Sequence, residues 1–429
     1  MMYPDKVAMV VTHPLFASQA ERLARDFGRV YLVIPWQSHS FPTLNAGRCG
    51  EGLKGVTKID SIWGEELEET DIVIFPDIYF PAEQIRLEKM GKFVWGGRNG
   101  EEIELWRDTC KEVMERLGLP TQPWKKITGI TELRKHLKSH DKQHCKISKW
   151  RGTFETFQAE TYDLAETKLD EIALKMGCFK EVAEMIVEDD LPSCVEVGTD
   201  TYCIDGQYPS ATLVGIETKD TGFCGQFVKW SDIPEPIRRW NEVMAPEFAK
   251  CGYRGWLSNE IRIGKDLVPY CIDPTCRSPS PPGELIQEFY TNYAEIIWEG
   301  AQGNVVDPIP AAKFGVQVIM KSPFAMEHCL QIDFDPEFSN QIKLYNPAVV
   351  DGKCFCVPQD EQMEECGCVI GWGDTLEAAV AHMEKAADTV KAYAVKIPRG
   401  SVNDAIEQMN EINDMGLQVF TIAKTEKHP

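Results

Sequence analysis

Short apolar blocks alternate with amphipathic stretches at the start of the chain. KVAMVVTHP reads as a strand ending at Pro14, and LFASQAERLARDFG carries apolar residues at helical spacing before a closing glycine. RVYLVIPW, DIVIFPDIYF and KFVWGG read as further strands. Strand, helix, strand at this spacing predicts an open parallel sheet with crossover helices, running to about Gly97. Its first turn lacks G-x-G-x-x-G, so nothing there supports a dinucleotide site. Asn99 to Gly118 reads as one amphipathic helix, with acidic residues in its first turn, basic ones later and glycine at its end. After LPTQPW a small α/β lobe is expected, with helices near 130–139 and 164–177 and strands in HCKISKW and FETFQAE. AEMIVEDDL and CVEVGTDTYCIDGQYP read as strands of a second sheet, with Asp205-Gly206 a tight turn. GWLSNEIRIGKDLVPYCIDP reads as a hairpin turning at Gly264-Lys265-Asp266. The last part offers FGVQVIMK and CGCVIGWG as strands, and DTLEAAVAHMEKAADTVKAY as a helix with an Asp374 N-cap.

A chain of 429 residues is too long for one simple core and predicts several lobes. Lys and Arg number 45 against 67 Asp and Glu, a net charge of −22, which argues against a protein that tracks a nucleic-acid backbone. No apolar run approaches the ~20 residues of a membrane span. The opening MMYPDKVAMVV has no basic segment before an apolar one, so no secretory leader is expected. Fifteen cysteines scattered through apolar segments read as reduced thiols of a cytoplasmic protein. The pairs Cys354/Cys356 and Cys366/Cys368 read as strand thiols sharing one sheet face, since zinc motifs mostly use wider spacing. His136, His140 and His144 read as a solvated basic face, and His13 as part of the turn before Pro14 beside the presumed acceptor cleft.

The hairpin carries the chemistry. Glu260 sits on its first strand and Asp273 near the end of its second, with Thr275 and Arg277 at alternate positions beyond. Two carboxylates converging among apolar residues need a cation, and oxygen ligands from Glu, Asp and Thr suit Mg²⁺. Arg277 can clamp a phosphate or carboxylate. Lys146, at a strand end, can reach phosphates, and Lys149, Arg151 and Gly152 can close over them. The backbone from Glu188 to Leu191 can read an adenine, with Glu196 on the ribose hydroxyls.

The order and spacing of these segments resemble the ATP-grasp ligases, and among them the phosphoribosylamine–glycine ligase family. YRGWLSNEIRIGKDLVPYCIDPTCRSPSP resembles that family's metal-binding hairpin, whose second strand reads E-x-N-x-R-x-G-D-P; here Asp273, Thr275 and Arg277 occupy those places and Ser278 to Pro281 replace the ending. KDTGFCGQF resembles the acceptor-facing T-G-G-M-G loop, which points to Lys219, Thr221, Gly222 and Gly225. IELWRDTCKEVMERLGLPT resembles the segment in which Arg107 stands at the family's phosphate-binding lysine, and GCVIGWGDTLEAAVAHMEKAADTVK resembles its C-terminal lobe.

The resemblance implies an α/β, multi-lobe ATP-grasp fold: an open parallel-sheet domain over 1–97, an ATP-grasp domain over 98–305 with a lid lobe at about 125–195, and a C-terminal α+β lobe over 306–429. It implies that ATP and Mg²⁺ activate a small-molecule carboxylate as an acyl phosphate, which an amine attacks. Glu260, Asp273 and Thr275 would hold Mg²⁺; Arg107, Lys146, Lys149, Arg151, Glu188, Leu191 and Glu196 would bind ATP; Arg277 and Lys219 would act on the reacting groups; His13, Thr221, Gly222 and Gly225 would face the acceptor. One departure counts against a phosphorylated acceptor and points to a small amine or amino acid instead. VVTHPLFASQ replaces the family's glycine-rich phosphate loop G-N-G-G-R-E-H. True phosphoribosylamine–glycine ligation, and a degenerate nucleotide-binding scaffold, stand as alternatives.

Overall fold

The computed structural model describes residues 1–35, 48–149, 156–191, 194–359 and 363–422. The opening segment builds a five-stranded parallel sheet in the order β3-β2-β1-β4-β5, from β1 (Tyr3–Val11), β2 (Phe27–Val33), β3 (Val56–Ile59), β4 (Ile72–Ile74) and β5 (Phe93–Trp95). Its strands are continuous apolar runs because both faces are covered: Ala8 and Val10 pack into one core, Met9 and Val11 into another. The first helix is shorter than its pattern suggested, Ser18–Leu23 after a 3-10 turn at Pro14–Phe16.

A small antiparallel sheet, β6-β9-β7-β8, uses β6 (Trp124–Thr128), β7 (Gln143–Ile147), β8 (Thr156–Ala159) and β9 (Glu184–Asp189). The AEMIVEDDL strand therefore belongs here, between β6 and β7, and not to the second sheet. The helices Ile130–Leu137 and Tyr162–Met176 cover this sheet and close a separate core around Leu133, Leu169 and Val187.

The largest sheet has eight strands in the order β14-β13-β10-β11-β12-β15-β20-β17. These are β10 (Val195–Ile204), β11 (Ala211–Thr218), β12 (Gly222–Lys229), β13 (Arg254–Ile263), β14 (Pro269–Thr275), β15 (Phe314–Lys321), β17 (Ile342–Leu344) and β20 (Glu365–Gly373). Asp205 and Gly206 both take positive φ in the turn after β10. A four-stranded sheet, β18-β19-β16-β21, completes the C-terminal part with β16 (Leu330–Asp333), β18 (Pro347–Val350), β19 (Lys353–Cys356) and β21 (Lys391–Ala392).

Several local readings change. Asn99–Gly118 is not one helix. A 3-10 turn and the short helix Glu102–Leu105 stop at Trp106, whose backbone is extended, and a new helix runs Arg107–Arg116. The end of β7 causes the break: the Lys149 amide donates to Leu105 O at 2.8 Å, and Ser148 Oγ accepts from the Arg107 amide at 3.3 Å. The helix Leu376–Ala387 is capped by Thr375, not Asp374, through the Ala378 amide at 3.2 Å, and a further helix, Ser401–Asp414, follows it. Cys366 and Cys368 do not share a face. The pairing of β15 with β20 shifts register there, and the two thiols enter different cores. All fifteen cysteines lie among the described residues, and no disulfide joins any of them. His136 and His140 stack at 4.0 Å, while His144 lies on β7 and pairs with Asp190 at 2.9 Å. Among the described residues, no helix is long and apolar enough to cross a membrane.

Candidate active site

The hairpin β13–β14 brings its two carboxylates together as expected: Glu260 and Asp273 are direct cross-strand partners. Their surroundings differ. Burial raises the Asp273 carboxyl, but Arg107, in contact with it, and Lys146 nearby outweigh that and hold it below the usual range. Glu260 is pushed well above its usual value by burial and then by Glu217, Glu196 and Asp273. No described residue hydrogen-bonds the Glu260 or Glu217 carboxyl.

Three elements converge here from the other side. The helix starting at Arg107 delivers its first side chain to Asp273. From β7, Lys146 donates to Ile272 O and pairs with Glu188 at 3.0 Å. Lys111, one helical turn beyond Arg107, pairs with the same Glu188. Glu188 is completely buried, and although burial raises its carboxyl, Lys146 and Lys111 pull it down to about 2. Its side chain thus serves the junction between the small sheet and β14.

Beyond the hairpin, Arg277 Nε donates to Glu104 Oε1 at 2.8 Å, and the Cys276 amide donates to Glu104 Oε2 at 2.6 Å. Glu104, which sequence reading did not single out, fixes the direction of Arg277. Its signal was slight, one acid facing inward from an otherwise ordinary helical start. A cavity of about 160 Å³ lies between this segment and the eight-stranded sheet. Its lining includes Glu260, Asp273, Thr275, Arg277 and Glu196, and also two acids that sequence reading missed, Asp200 and Glu217. Glu196 is held by Arg262 at 3.0 Å.

The remaining expected site residues fall elsewhere. His13, Lys219, Thr221, Gly222 and Gly225 are not part of this lining. His13 Nδ1 accepts from the Leu15 amide at 3.3 Å, a turn cap before Pro14. Lys219 is exposed on the β11–β12 turn beside Thr221. Gly222 and Gly225 lie within β12, where the packing needs them small. A Cβ on Gly222 would meet Gln317 O, and one on Gly225 would meet the Phe223 ring at 2.6 Å. Lys149 sits at φ 71° with its ammonium 4.0 Å from the Trp106 ring centroid. Leu191 is half-buried just past β9, and Arg151 and Gly152 lie outside the described residues.

Among the described residues no three His, Cys, Asp or Glu side chains gather closely enough to hold a metal ion by themselves. Glu260, Asp273 and the Thr275 hydroxyl could supply a few ligands, all oxygen. That fits Mg²⁺ shared with phosphate oxygens and water better than a resident ion in a protein cage.

The buried acids have a measurable consequence. Burial pushes Asp200 up to about 7 and Glu217 to about 8, the latter helped by Asp200 and Glu196. Unfolded, both groups ionise near pH 4. They therefore oppose folding increasingly as pH rises from about 4 to 8. Asp200→Asn can still accept the Ser258 hydroxyl, which reaches Asp200 at 2.6 Å. It is expected to stabilise the protein at pH 8 by on the order of 3 kcal/mol and to change little at pH 4. Urea unfolding at the two pH values tests this; an equal effect at both contradicts it.

No family model matches the chain, and no curated protein matches its sequence. Its fold is shared with solved structures. Phosphoribosylamine–glycine ligase from Thermotoga maritima aligns with a TM-score of 0.68 at 17% identity, over 92% of this chain and 99% of that one. The biotin carboxylase domain of 2-oxoglutarate carboxylase from Hydrogenobacter thermophilus, solved with MgADP and bicarbonate, aligns at 0.65 and 12% identity over 97% and 99%. N5-carboxyaminoimidazole ribonucleotide synthetase from Thermus thermophilus aligns at 0.58 and 14% over 89% and 98%. All three are ATP-grasp enzymes, and the chain has the ATP-grasp fold.

Proposed function

We propose that this protein is an ADP-forming carbon–nitrogen ligase that joins a small carboxylate to an amine. The observation that carries the reading is the Glu260–Asp273 pair, faced by Arg107 and Lys146 where the small sheet meets the large one. On this reading, 1–97, 98–305 and 306–429 serve as the parallel-sheet, ATP-grasp and C-terminal lobes, with the lid at about 125–195.

ATP lies between the small sheet and the hairpin, its phosphates toward Arg107 and Lys146. Glu260, Asp273 and Thr275 would hold Mg²⁺, which would supply neutralisation of phosphate charge. A substrate carboxylate oxygen forms a bond to the γ-phosphorus, the bond to ADP breaks, and an acyl phosphate results. Arg277, aimed by Glu104, steadies the carboxylate and then the acyl phosphate. The amine nitrogen bonds to the acyl carbon, the bond to phosphate breaks, and the amine proton passes to the departing phosphate or solvent. No nucleophilic side chain is needed.

The acceptor is a small amine rather than phosphoribosylamine. A ribose phosphate needs several donors, and glycine-rich turns supply them. Here Pro14 removes one amide donor, and His13 Nδ1 already accepts from the Leu15 amide. The test is ADP release with Mg-ATP across a panel of carboxylates paired with amines and amino acids, with glycine plus fresh phosphoribosylamine in one arm. A carboxylate–amine pair that drives stoichiometric ADP and amide formation is expected. Robust glycinamide ribonucleotide formation would refute the choice of acceptor, and no turnover despite Mg-ATP binding would favour a nucleotide-binding scaffold.

A further inference from the structure

The cavity beside the hairpin has a floor that nucleotide and metal binding do not use. Strand pairing aligns Gly225, Gly215, Gly198, Glu260 and Asp273 in one row from β12 to β14. The adjacent row carries Leu213, Asp200, Ser258 and Thr275, and Glu217 pairs with Phe223 on the far side of the glycines. Residues two apart on a strand point to the same face. Gly198 and Gly215 line the cavity with Asp200 on one side and Glu217 on the other, and this stretch of it forms a trough. The Phe223 ring lies against Gly215 and Gly225, where either Cβ would collide with it. It gives the trough an apolar wall, and Pro279, Pro281 and Pro282 also line the cavity.

The charges do not balance. Glu196 has Arg262, Asp273 has Arg107, and Arg277 is already paired with Glu104. Mg²⁺ accounts for Glu260 and Asp273 on the proposed reading. Asp200 and Glu217 are left over. Asp200 is only 4% exposed; its Oδ1 accepts the Ser258 hydroxyl, and its Oδ2 accepts from none of the described residues. The amine nitrogen that attacks an acyl phosphate must be neutral, so it satisfies neither carboxylate. A second, cationic group in the trough has an acid on either side of it, and a methylene chain fits the Phe223 wall.

We propose that the acceptor is a diamine-type molecule, an aliphatic amine whose second ammonium or guanidinium group is held in the trough by Asp200 and Glu217. This rests on the ligase reading above and names its acceptor class. It disfavours acceptors bearing a phosphate or a carboxylate near the amine, because an anion there gains no charge pairing from two acids.

Calorimetric titration of the full chain with Mg-ADP present tests it, using 1,4-diaminobutane, n-butylamine and glycine as probes. 1,4-Diaminobutane is expected to bind at least about tenfold more tightly than n-butylamine, a margin of about 1.4 kcal/mol, with glycine weakest. Asp200→Asn and Glu217→Gln are each expected to shrink that margin to about threefold or less, with circular dichroism verifying the fold. If 1,4-diaminobutane shows no advantage over n-butylamine, including no binding of either, the inference fails while Mg-ADP binding still supports the ligase reading. A margin that survives both substitutions also overturns the assignment. Failure of Mg-ADP itself to bind removes the ligase reading, and the inference with it.

Discussion

Asp273→Asn is expected to cut ADP formation by about 10²-fold or more while leaving the fold intact, because on the proposed reading an anionic Mg²⁺ ligand is lost where phosphate charge must be neutralised. Asparagine keeps the volume and can still accept from Arg107, which contacts Asp273 in the protein. Glu260→Gln is expected to do the same for a sharper reason. Burial and the neighbouring Glu217, Glu196 and Asp273 hold Glu260 well above its usual range, so it keeps its proton in the folded state, and a neutral glutamine spares the ionisation that favours the unfolded chain as pH rises. Lost activity in a variant at least as stable as the parent cannot be put down to unfolding. Steady-state ADP release at saturating Mg²⁺, alongside thermal melts, decides the matter. Wild-type turnover in either variant would show that these carboxylates are not the metal site.

The second large effect is on stability. Glu188→Gln is expected to cost about 3 to 5 kcal/mol, since it takes the shared carboxylate from two buried ammonium groups, Lys146 and Lys111, and leaves them the neutral oxygens of Ile272 and Gln122. Burial raises the Glu188 carboxyl, but the two lysines bring it down to about 2. Its contribution is thus present above the unfolded value near 4.5 and is lost as pH falls toward 2. The gap between parent and variant should narrow over that window. Urea unfolding at pH 7 and at pH 3 measures it. A gap below about 1 kcal/mol at pH 7 would mean that the lysines find other partners and that Glu188 is not the keystone of the junction.

The hairpin was legible because Glu260 and Asp273 interrupt strands that are otherwise apolar, and a carboxylate in such a place demands a partner. The parallel sheet was legible because both its faces are buried, which leaves unbroken apolar runs. Three things were hidden for physical reasons. The AEMIVEDDL strand has no feature that selects its neighbours; only long-range pairing with Trp124–Thr128 and Gln143–Ile147 places it in the small sheet. The helix break at Trp106 has no glycine or proline to announce it, since the groups that cap the broken ends come from Ser148 and Lys149 on another element. Asp200 and Glu217 read as the polar half of ordinary strand alternation. Their one sequence signal was the neighbouring glycines in EVGTD and GIE, two residues from each acid and on the same face. The glycines of β12, expected to face an acceptor, are instead spent on packing against Phe223 and the edge of β15.

Calorimetry with Mg-ATP addresses the central claim most directly, that the cleft between the small sheet and the β13–β14 hairpin holds a magnesium nucleotide. The wild-type protein is expected to bind Mg-ATP in the micromolar range, and Asp273→Asn at least about tenfold more weakly. No heat of binding for the wild-type protein up to millimolar Mg-ATP would contradict the account.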